Sequence, residues 1–214
     1  MGYIIEGLCN YGMLLPFWLI IEALFFLYYR KYNVKVKVGY LIGWQIFACC
    51  ITCIFSLTGT AGINDIGSYG SEIIRLNEIN LIPFKWGVLD SFGLIMNIIL
   101  FCPLGILLPL LWEKMTFKMA TLTGFSLSFL IEISQLFNRR ATDIDDLLMN
   151  TLGAMIGYVI GKFVSRKIRF MQLDCENETF LLKCHLYITM IVMFAFYFLF
   201  GRSFVWHTWM LIYE

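Results

Sequence analysis

The sequence predicts an all-α membrane protein with six transmembrane helices and both termini outside. Three observations predict this fold: the apolar composition, the number of long apolar segments and the distribution of basic residues between them. Of the 214 residues, 60% are apolar and 14% are charged, and the mean hydropathy is +0.77. Soluble domains have about 25% charged residues. Most of this chain must therefore lie in lipid or against other helices.

Six apolar segments each have about the length that crosses a bilayer of roughly 30 Å. They are residues 11–29, 38–57, 91–112, 117–137, 147–163 and 183–200. We divide the chain into an additional N-terminal helix with a basic turn (1–37), a four-helix core (38–163) and a last part (164–214). That last part holds a charged link, one helix and a tail with Trp206, Trp209 and Tyr213, which is typical of an interfacial anchor.

The basic residues predict the orientation. Eleven of the 16 lysines and arginines fall on one side of the predicted spans and five fall on the other. By the positive-inside rule, the richer side faces the cytoplasm. The net charge of +1 gives no basic field for nucleic acid, so nucleic-acid binding is excluded as a function class.

Several kinds of catalytic site are excluded by their missing motifs. The sequence has no phosphate-binding P-loop, no Gly-x-Ser-x-Gly and no His-Glu-x-x-His, and its two histidines, His185 and His207, lie outside the predicted core. The seven cysteines are an odd number placed mostly in apolar segments, which argues against a disulfide framework. Any catalysis would rest on carboxylates, arginine and a divalent cation.

Polar residues inside the predicted spans gather at one depth. Asn97, Glu132, Gln135 and Asn150 all fall within roughly 10 Å of the outer interface at 1.5 Å per helical residue. Burying such groups costs free energy unless they find partners. We therefore expect the helices at 91–112, 117–137 and 147–163 to pack around a shared outer pocket.

In and just before the helix at 147–163, polar residues are followed by glycines at a spacing that places them on one helix face. Asp143, Asp146, Asn150, Gly153, Gly157 and Gly161 follow steps of 3, 4, 3, 4 and 4 residues. Glycines at steps of four favour close packing against another helix. In the helix at 91–112, Pro103 predicts a kink or break in mid-span.

The turn between the two helices at 117–137 and 147–163 combines both charges. It contains Arg139, Arg140, Asp143, Asp145 and Asp146. Arginine forks suit phosphate or carboxylate ligands, and clustered carboxylates suit a hard cation or a polar sugar or amine. A salt-bridged surface turn is the structural alternative. Arg139 would extend the face of Glu132 and Gln135 if the helix reached it.

Together, these residues resemble the ordered motif set of the VanZ-like membrane proteins, over about residues 38–163. The motifs are Asn80-Leu-Ile-Pro83-Phe84, Asn97 with Pro103-Leu-Gly105, Glu132-x-x-Gln135, Arg140-x-x-Asp143-x-x-Asp146 and Asn150-x-x-Gly153-x-x-x-Gly157. The resemblance implies a protein of the bacterial plasma membrane with its motifs on the extracytoplasmic face, and a link to glycopeptide antibiotic tolerance, chiefly to teicoplanin. It also implies that the named residues of these motifs are site or structural residues of this chain. Arg139 and Asp145 lie next to the motifs.

Two functional hypotheses follow. In the first, an outer-leaflet pocket binds a lipid-linked cell-wall precursor or a lipoglycopeptide, and the protein modulates antibiotic resistance without a cofactor. In the second, the protein is an enzyme that modifies a lipid headgroup or lipid-linked sugar. Glu132, Asp143 or Asp146 would then be the catalytic group, with a divalent cation at Asp143, Asp145 and Asp146 left open. Glu22, in mid-span, is interpreted either as a structural acid or as a proton- or ligand-linked group.

Overall fold

The computed structural model describes residues 2–32, 34–68, 79–84, 91–138, 140, 142–172 and 180–213. The predicted helices are all present. They are α1 (Gly2–Lys31), α2 (Val38–Thr58), α3 (Ser91–Leu111), α4 (Phe117–Gln135), α5 (Ile144–Ser165) and α6 (Phe180–Phe196), which continues through a π-helical turn (Tyr197–Gly201) into α7 (Arg202–Tyr213). Two two-residue strands, β1 (Ile79–Asn80) and β2 (Thr142–Asp143), complete the described elements.

Five helical segments of the described chain are long and apolar enough to cross a membrane. They are Ile5–Lys31, Val38–Asp65, Phe92–Leu111, Ile144–Ser165 and Leu186–Ile212. The 19-residue α4 is not among them, because Glu132, Gln135 and several Ser and Thr residues lower its hydropathy. The all-helical prediction is confirmed, with five candidate spans instead of six.

The closest helix contact joins α3 and α5 through glycine. A Cβ atom added at Gly153, Gly157 or Gly161 would overlap the backbone carbonyl of Ile98, Cys102 or Ile106, respectively. In the other direction, a Cβ at Gly105 would overlap the carbonyl of Ala154. The backbones of the two helices therefore touch along three turns. α3 continues as one helix through Pro103 and Pro109, so the chain is not broken at Pro103.

The first helix packs on α2, and the last helix packs on the first. Asn10 on α1 donates a hydrogen bond to Ser56 Oγ of α2 (3.0 Å) and accepts one from Trp209 Nε1 of α7 (2.7 Å). The predicted aromatic tail is therefore helical, and Trp209 packs into the bundle while Trp206 stays exposed. This contact joins three helices at the end of α2 that leads into the site.

Glu22 also lies on the contact between α1 and α2. Its Oε2 accepts a hydrogen bond from Gln45 Nε2 (2.5 Å), and Gln45 Oε1 accepts one from the Tyr11 hydroxyl (2.8 Å). Glu22 therefore belongs to an interhelical hydrogen-bond chain and not to the site described below.

Candidate functional site

Asp143 begins α5 and links it to a distant loop. Its carboxylate caps the helix by accepting the Asp145 N–H (2.9 Å), and it accepts two hydrogen bonds from Asn80 Nδ2 (3.1 Å each). The strands β1 and β2 pair in parallel here, with Ile79 opposite Thr142 and Asn80 opposite Asp143. An aspartate at an N-cap satisfies an otherwise unpaired helix N–H. The same side chain therefore both caps α5 and holds the loop.

Asp145 fixes the end of that loop. Both of its carboxylate oxygens accept the Phe84 N–H at 3.0 Å, and Asp145 is buried. Phe84 has a φ of 55°, which non-glycine residues rarely adopt. Leu81, Ile82, Pro83 and Phe84 leave their side chains exposed. Segment 80–84 is therefore held by two contacts, the Phe84 N–H to Asp145 and the Asn80 side chain to Asp143.

Asp146 and Asn150 connect α5 to the two neighbouring helices. Asn97 Nδ2 on α3 donates to Asp146 Oδ1 at 2.6 Å, and Asn150 Nδ2 donates to Ser128 Oγ on α4 at 2.9 Å. Both α3 and α4 pack on α5. These two hydrogen bonds connect the three helices. Of the four residues expected to share an outer pocket, Asn97 is the one that lines the cavity described below.

Glu132 lies on α4 beside the first turn of α5. It is 5% exposed, and its Oε2 accepts the Asp143 N–H at 3.0 Å. The charges of Asp143, Asp146 and Arg140 all act on its carboxyl group. We call Glu132, Asp143, Asp145 and Asp146 the carboxylate cluster.

The carboxylate cluster does not converge on one point. Each of its acids accepts from a donor of this chain, and in the described part of the chain no group of three or more His, Cys, Asp or Glu side chains is arranged to hold a metal ion. The arrangement joins the loop 79–84, α3, α4 and α5. The hydrogen bonds of these acids therefore link the four segments to one another.

Helix α4 ends at Gln135, two residues before the end of the predicted span at 117–137, so the helix does not reach Arg139 and the condition for a shared face with Arg139 is not met. The N–H groups of Leu136, Phe137 and Asn138 bond to carbonyls three residues back, which tightens the chain into a turn. Gln135 Nε2 donates to the carbonyl of Thr58 (2.8 Å). Arg139 itself lies outside the described residues.

Two buried amide oxygens in this region accept no hydrogen bond within the described structure. They are Gln135 Oε1 and Asn150 Oδ1. Buried polar atoms are nearly always paired, so each such group needs an explanation. Both residues were predicted as ligand-binding, and their other amide atoms bind the protein.

Arg140 is positioned by the turn that follows α2. Asn138 Nδ2 donates to the carbonyl of Gly59 (2.7 Å), and Asn138 Oδ1 accepts the Arg140 N–H (2.8 Å). Gly59 has a φ of 67°, and a Cβ added there would overlap Arg140 Nε. The Arg140 side chain therefore lies directly over Gly59.

A cavity of about 560 Å³ opens beside Arg140, and we call it the arginine cavity. Its polar lining consists of Glu6, Ser56, Asn97, Asn138, Arg140 and Arg202. Its apolar lining consists of Leu57, Phe92, Met96 and Leu100. Phe92 is 77% exposed and Met96 is 41% exposed, so the α3 side of the cavity opens toward the surroundings of the bundle. The cavity thus combines two guanidinium groups with an apolar wall.

The sequence profile of the VanZ/LLP1 family matches residues 40–165, which is more than half of the chain. The chain belongs to the VanZ/LLP1 family. No curated protein and no solved structure matches it. The VanZ/LLP1 segment contains α2, α3, α4 and α5, and with them the whole carboxylate cluster and Arg140.

Two residues of the arginine cavity lie outside the VanZ/LLP1 segment. Glu6 comes from α1 and Arg202 begins α7. Sequence reasoning missed both, and it also missed Asn138, the residue that positions Arg140. A glycine directly after a long apolar segment, Gly59, was the local signal that a helix ends beside this site.

Proposed function

We propose that this protein is a bacterial cell-envelope factor that modulates resistance to glycopeptide antibiotics of the teicoplanin type. In this proposal, the arginine cavity binds a lipid-linked cell-wall component or the antibiotic itself at the outer leaflet. The observation that carries the proposal is the joining of Arg140 and Asn97 with the exposed apolar wall of Phe92 and Met96 in one cavity. Ligand sites are typically concave and mostly apolar, with a few placed polar groups.

The proposal includes six membrane crossings, with α4 as one of them, both termini outside and the site on the extracytoplasmic face. It is supported by Lys37, Lys114 and Lys162, which lie near the helix ends opposite the site. A C-terminal fusion tests the orientation: alkaline phosphatase should be active there and green fluorescent protein should be dark. The reverse result would contradict an external site.

Deletion and re-expression test the resistance role. We expect the deletion strain to be more susceptible to teicoplanin and the wild-type protein to restore tolerance. Arg140→Lys keeps the charge but loses the planar, two-pronged donor, so it should fail to restore tolerance while reaching normal abundance. Arg166→Lys is the matched control, because Arg166 lies at the far end of α5 and should be silent.

Two results would contradict this proposal. Unchanged susceptibility after deletion would remove the resistance role. Full restoration by both Arg140→Lys and Glu132→Gln would remove the arginine cavity and the carboxylate cluster as functional sites, and the conserved-looking polar set would then serve helix packing alone.

An enzyme that modifies a lipid headgroup or lipid-linked sugar is the second candidate. It is favoured by Glu132, a buried acid close to the charges of Asp143 and Asp146, since buried carboxyl groups often serve as general acids or bases. Lipid mass profiling of deletion and overexpression strains, with and without a chelator of divalent cations, tests it. Identical lipid and precursor pools would contradict an enzyme.

A further inference from the structure

Arg202 is placed at the arginine cavity by an irregularity of the last helix. Five residues, Tyr197–Gly201, form a π-helical turn between α6 and α7, and Arg202 follows directly. A π-turn changes the direction in which the following side chains leave the helix, and such turns are frequent at functional sites. Asp65 then holds the guanidinium, with its Oδ2 at 3.7 Å from Arg202 Nε.

The two arginines of the cavity are seated on the same short segment. Arg140 lies over Gly59, and Arg202 lies against Gly62, where an added Cβ would be 2.6 Å from both Cβ and Cγ of the arginine. Gly62 has a φ of −120°, which any residue can adopt, so the absence of a side chain there serves the contact and not the backbone. Segment 59–62 thus brings an arginine of the VanZ/LLP1 segment next to an arginine from outside it.

The charge and shape of the cavity favour one ligand class. The described lining contains two arginines and one glutamate, and Asp65 pairs with Arg202, so these groups carry no excess positive charge and suit a single phosphate better than a polyanion. Guanidinium groups bind phosphate through paired hydrogen bonds. The wall of Leu57, Phe92, Met96 and Leu100 suits a hydrocarbon chain.

We propose that Arg140 and Arg202 together bind the phosphate group of an amphipathic phosphate ester, with its chain along α3. This proposal rests on the proposed ligand-binding role of the same cavity and names its ligand chemistry. Two sources carry that chemistry, a prenyl phosphate carrier and a phospholipid. Arg202 is then a specificity-determining residue that the VanZ/LLP1 segment alone does not supply.

The test measures lipid binding to the full-length purified protein by native mass spectrometry. The probes are a polyprenyl phosphate with its matched polyprenol, and phosphatidic acid with its matched diacylglycerol. At least one phosphate should bind about tenfold or more tightly than its uncharged counterpart, because hydrogen bonds between charged groups are strong. Preference for the prenyl pair would identify a carrier, and equal binding of both phosphates would identify a general phosphate-lipid site.

Variants assign the binding to the two arginines. Arg140→Gln and Arg202→Gln should each weaken phosphate binding about tenfold, whereas Arg166→Gln, which removes the same charge at the far end of α5, should leave it unchanged. If Arg202→Gln does not fold, Gly62→Ala replaces it, since the added Cβ would overlap Cβ and Cγ of Arg202 and force this arginine and the start of α7 to move. Unchanged binding in the folded Arg202 or Gly62 variant would overturn the proposal, as would equal binding of the uncharged counterparts.

The outcome separates this proposal from the resistance role. If phosphate lipids bind through both arginines but teicoplanin susceptibility does not depend on the protein, the phosphate site stands and the proposed resistance role fails. If susceptibility depends on the protein but neither phosphate binds, the resistance role stands and the phosphate site fails.

Discussion

The carboxylate cluster and the arginine cavity lie at the same end of the bundle and share Asn97 as a neighbour, but they use charge differently. The acids of the cluster accept hydrogen bonds from Asn80, Phe84, Asn97 and the backbone of Asp143. In the cavity, the guanidinium groups of Arg140 and Arg202 line a space of about 560 Å³.

This difference separates charged groups that stabilise the fold from charged groups that line open space. A buried carboxylate is costly without donors, and Glu132 and Asp145 are buried while Asp143 and Asp146 are partly buried, so these acids depend on the hydrogen bonds from the neighbouring loop and helices. The arginines, in contrast, line open space: Arg140 lies over Gly59, and Arg202 lies against Gly62 and pairs with Asp65. We therefore expect changes in the cluster to act mainly on stability and changes in the cavity to act mainly on ligand binding.

Asp145→Ala should have the largest effect on stability. It removes the acceptor of the Phe84 N–H and releases a residue held at a φ of 55°, which we expect to lower the free energy of unfolding by about 1.5–3 kcal/mol. Thermal unfolding of the purified protein in detergent measures this. Asp145→Asn retains one acceptor and should lose less, and equal losses in both variants would contradict the role of the hydrogen bond.

Gly59→Ala should come second and should affect both regions. A side chain at a φ of 67° costs roughly 1–2 kcal/mol, and the added Cβ would also push Arg140 aside. Gly59→Asn tolerates this backbone conformation better, so it should recover part of the stability while phosphate binding stays lost. Recovered binding in the asparagine variant would show that the position of Arg140 does not depend on Gly59.

Asn97→Ala should have a smaller effect, because it removes one hydrogen bond to Asp146 without changing the backbone. We expect a loss of about 1 kcal/mol, since Asn97 is only partly buried. A double-mutant cycle with Asp146→Ala measures the coupling between the two residues. Strictly additive losses would mean that the 2.6 Å contact contributes nothing to stability.

Glu132→Gln should have the smallest effect on stability. The amide keeps an oxygen that accepts the Asp143 N–H, so the expected loss is under about 1 kcal/mol, whereas Glu132→Ala should lose more. Comparison of the two unfolding curves checks this. A folded Glu132→Gln protein that fails to restore antibiotic tolerance would indicate that the ionisable group itself is needed, and this would favour an enzyme.

The spacing of residues along the sequence was enough to predict the helices and part of the site. Apolar length located the helices, and the step of four between Gly153, Gly157 and Gly161 indicated a close helix contact, since residues at that step share one helix face. The polar residues at one depth were also found this way, because rise per residue is constant in a helix. Spacing did not show where α4 ends, since that end depends on Gln135 and Asn138 bonding to the turn after α2.

The sequence by itself determined the helical membrane class, the glycine face of α5 and the membership of Asn97, Glu132 and Asn150 in one polar layer, because these follow from composition and helical period. Only the tertiary structure decided which acids are occupied by backbone donors and which groups share a cavity. Glu6 and Arg202 come from opposite ends of the chain. They line the same space as Arg140 because α1 packs on α2, while α7 packs on α1 and on the segment that follows α2. A local sequence pattern cannot predict that these three residues line one cavity, since their proximity depends on how whole helices pack.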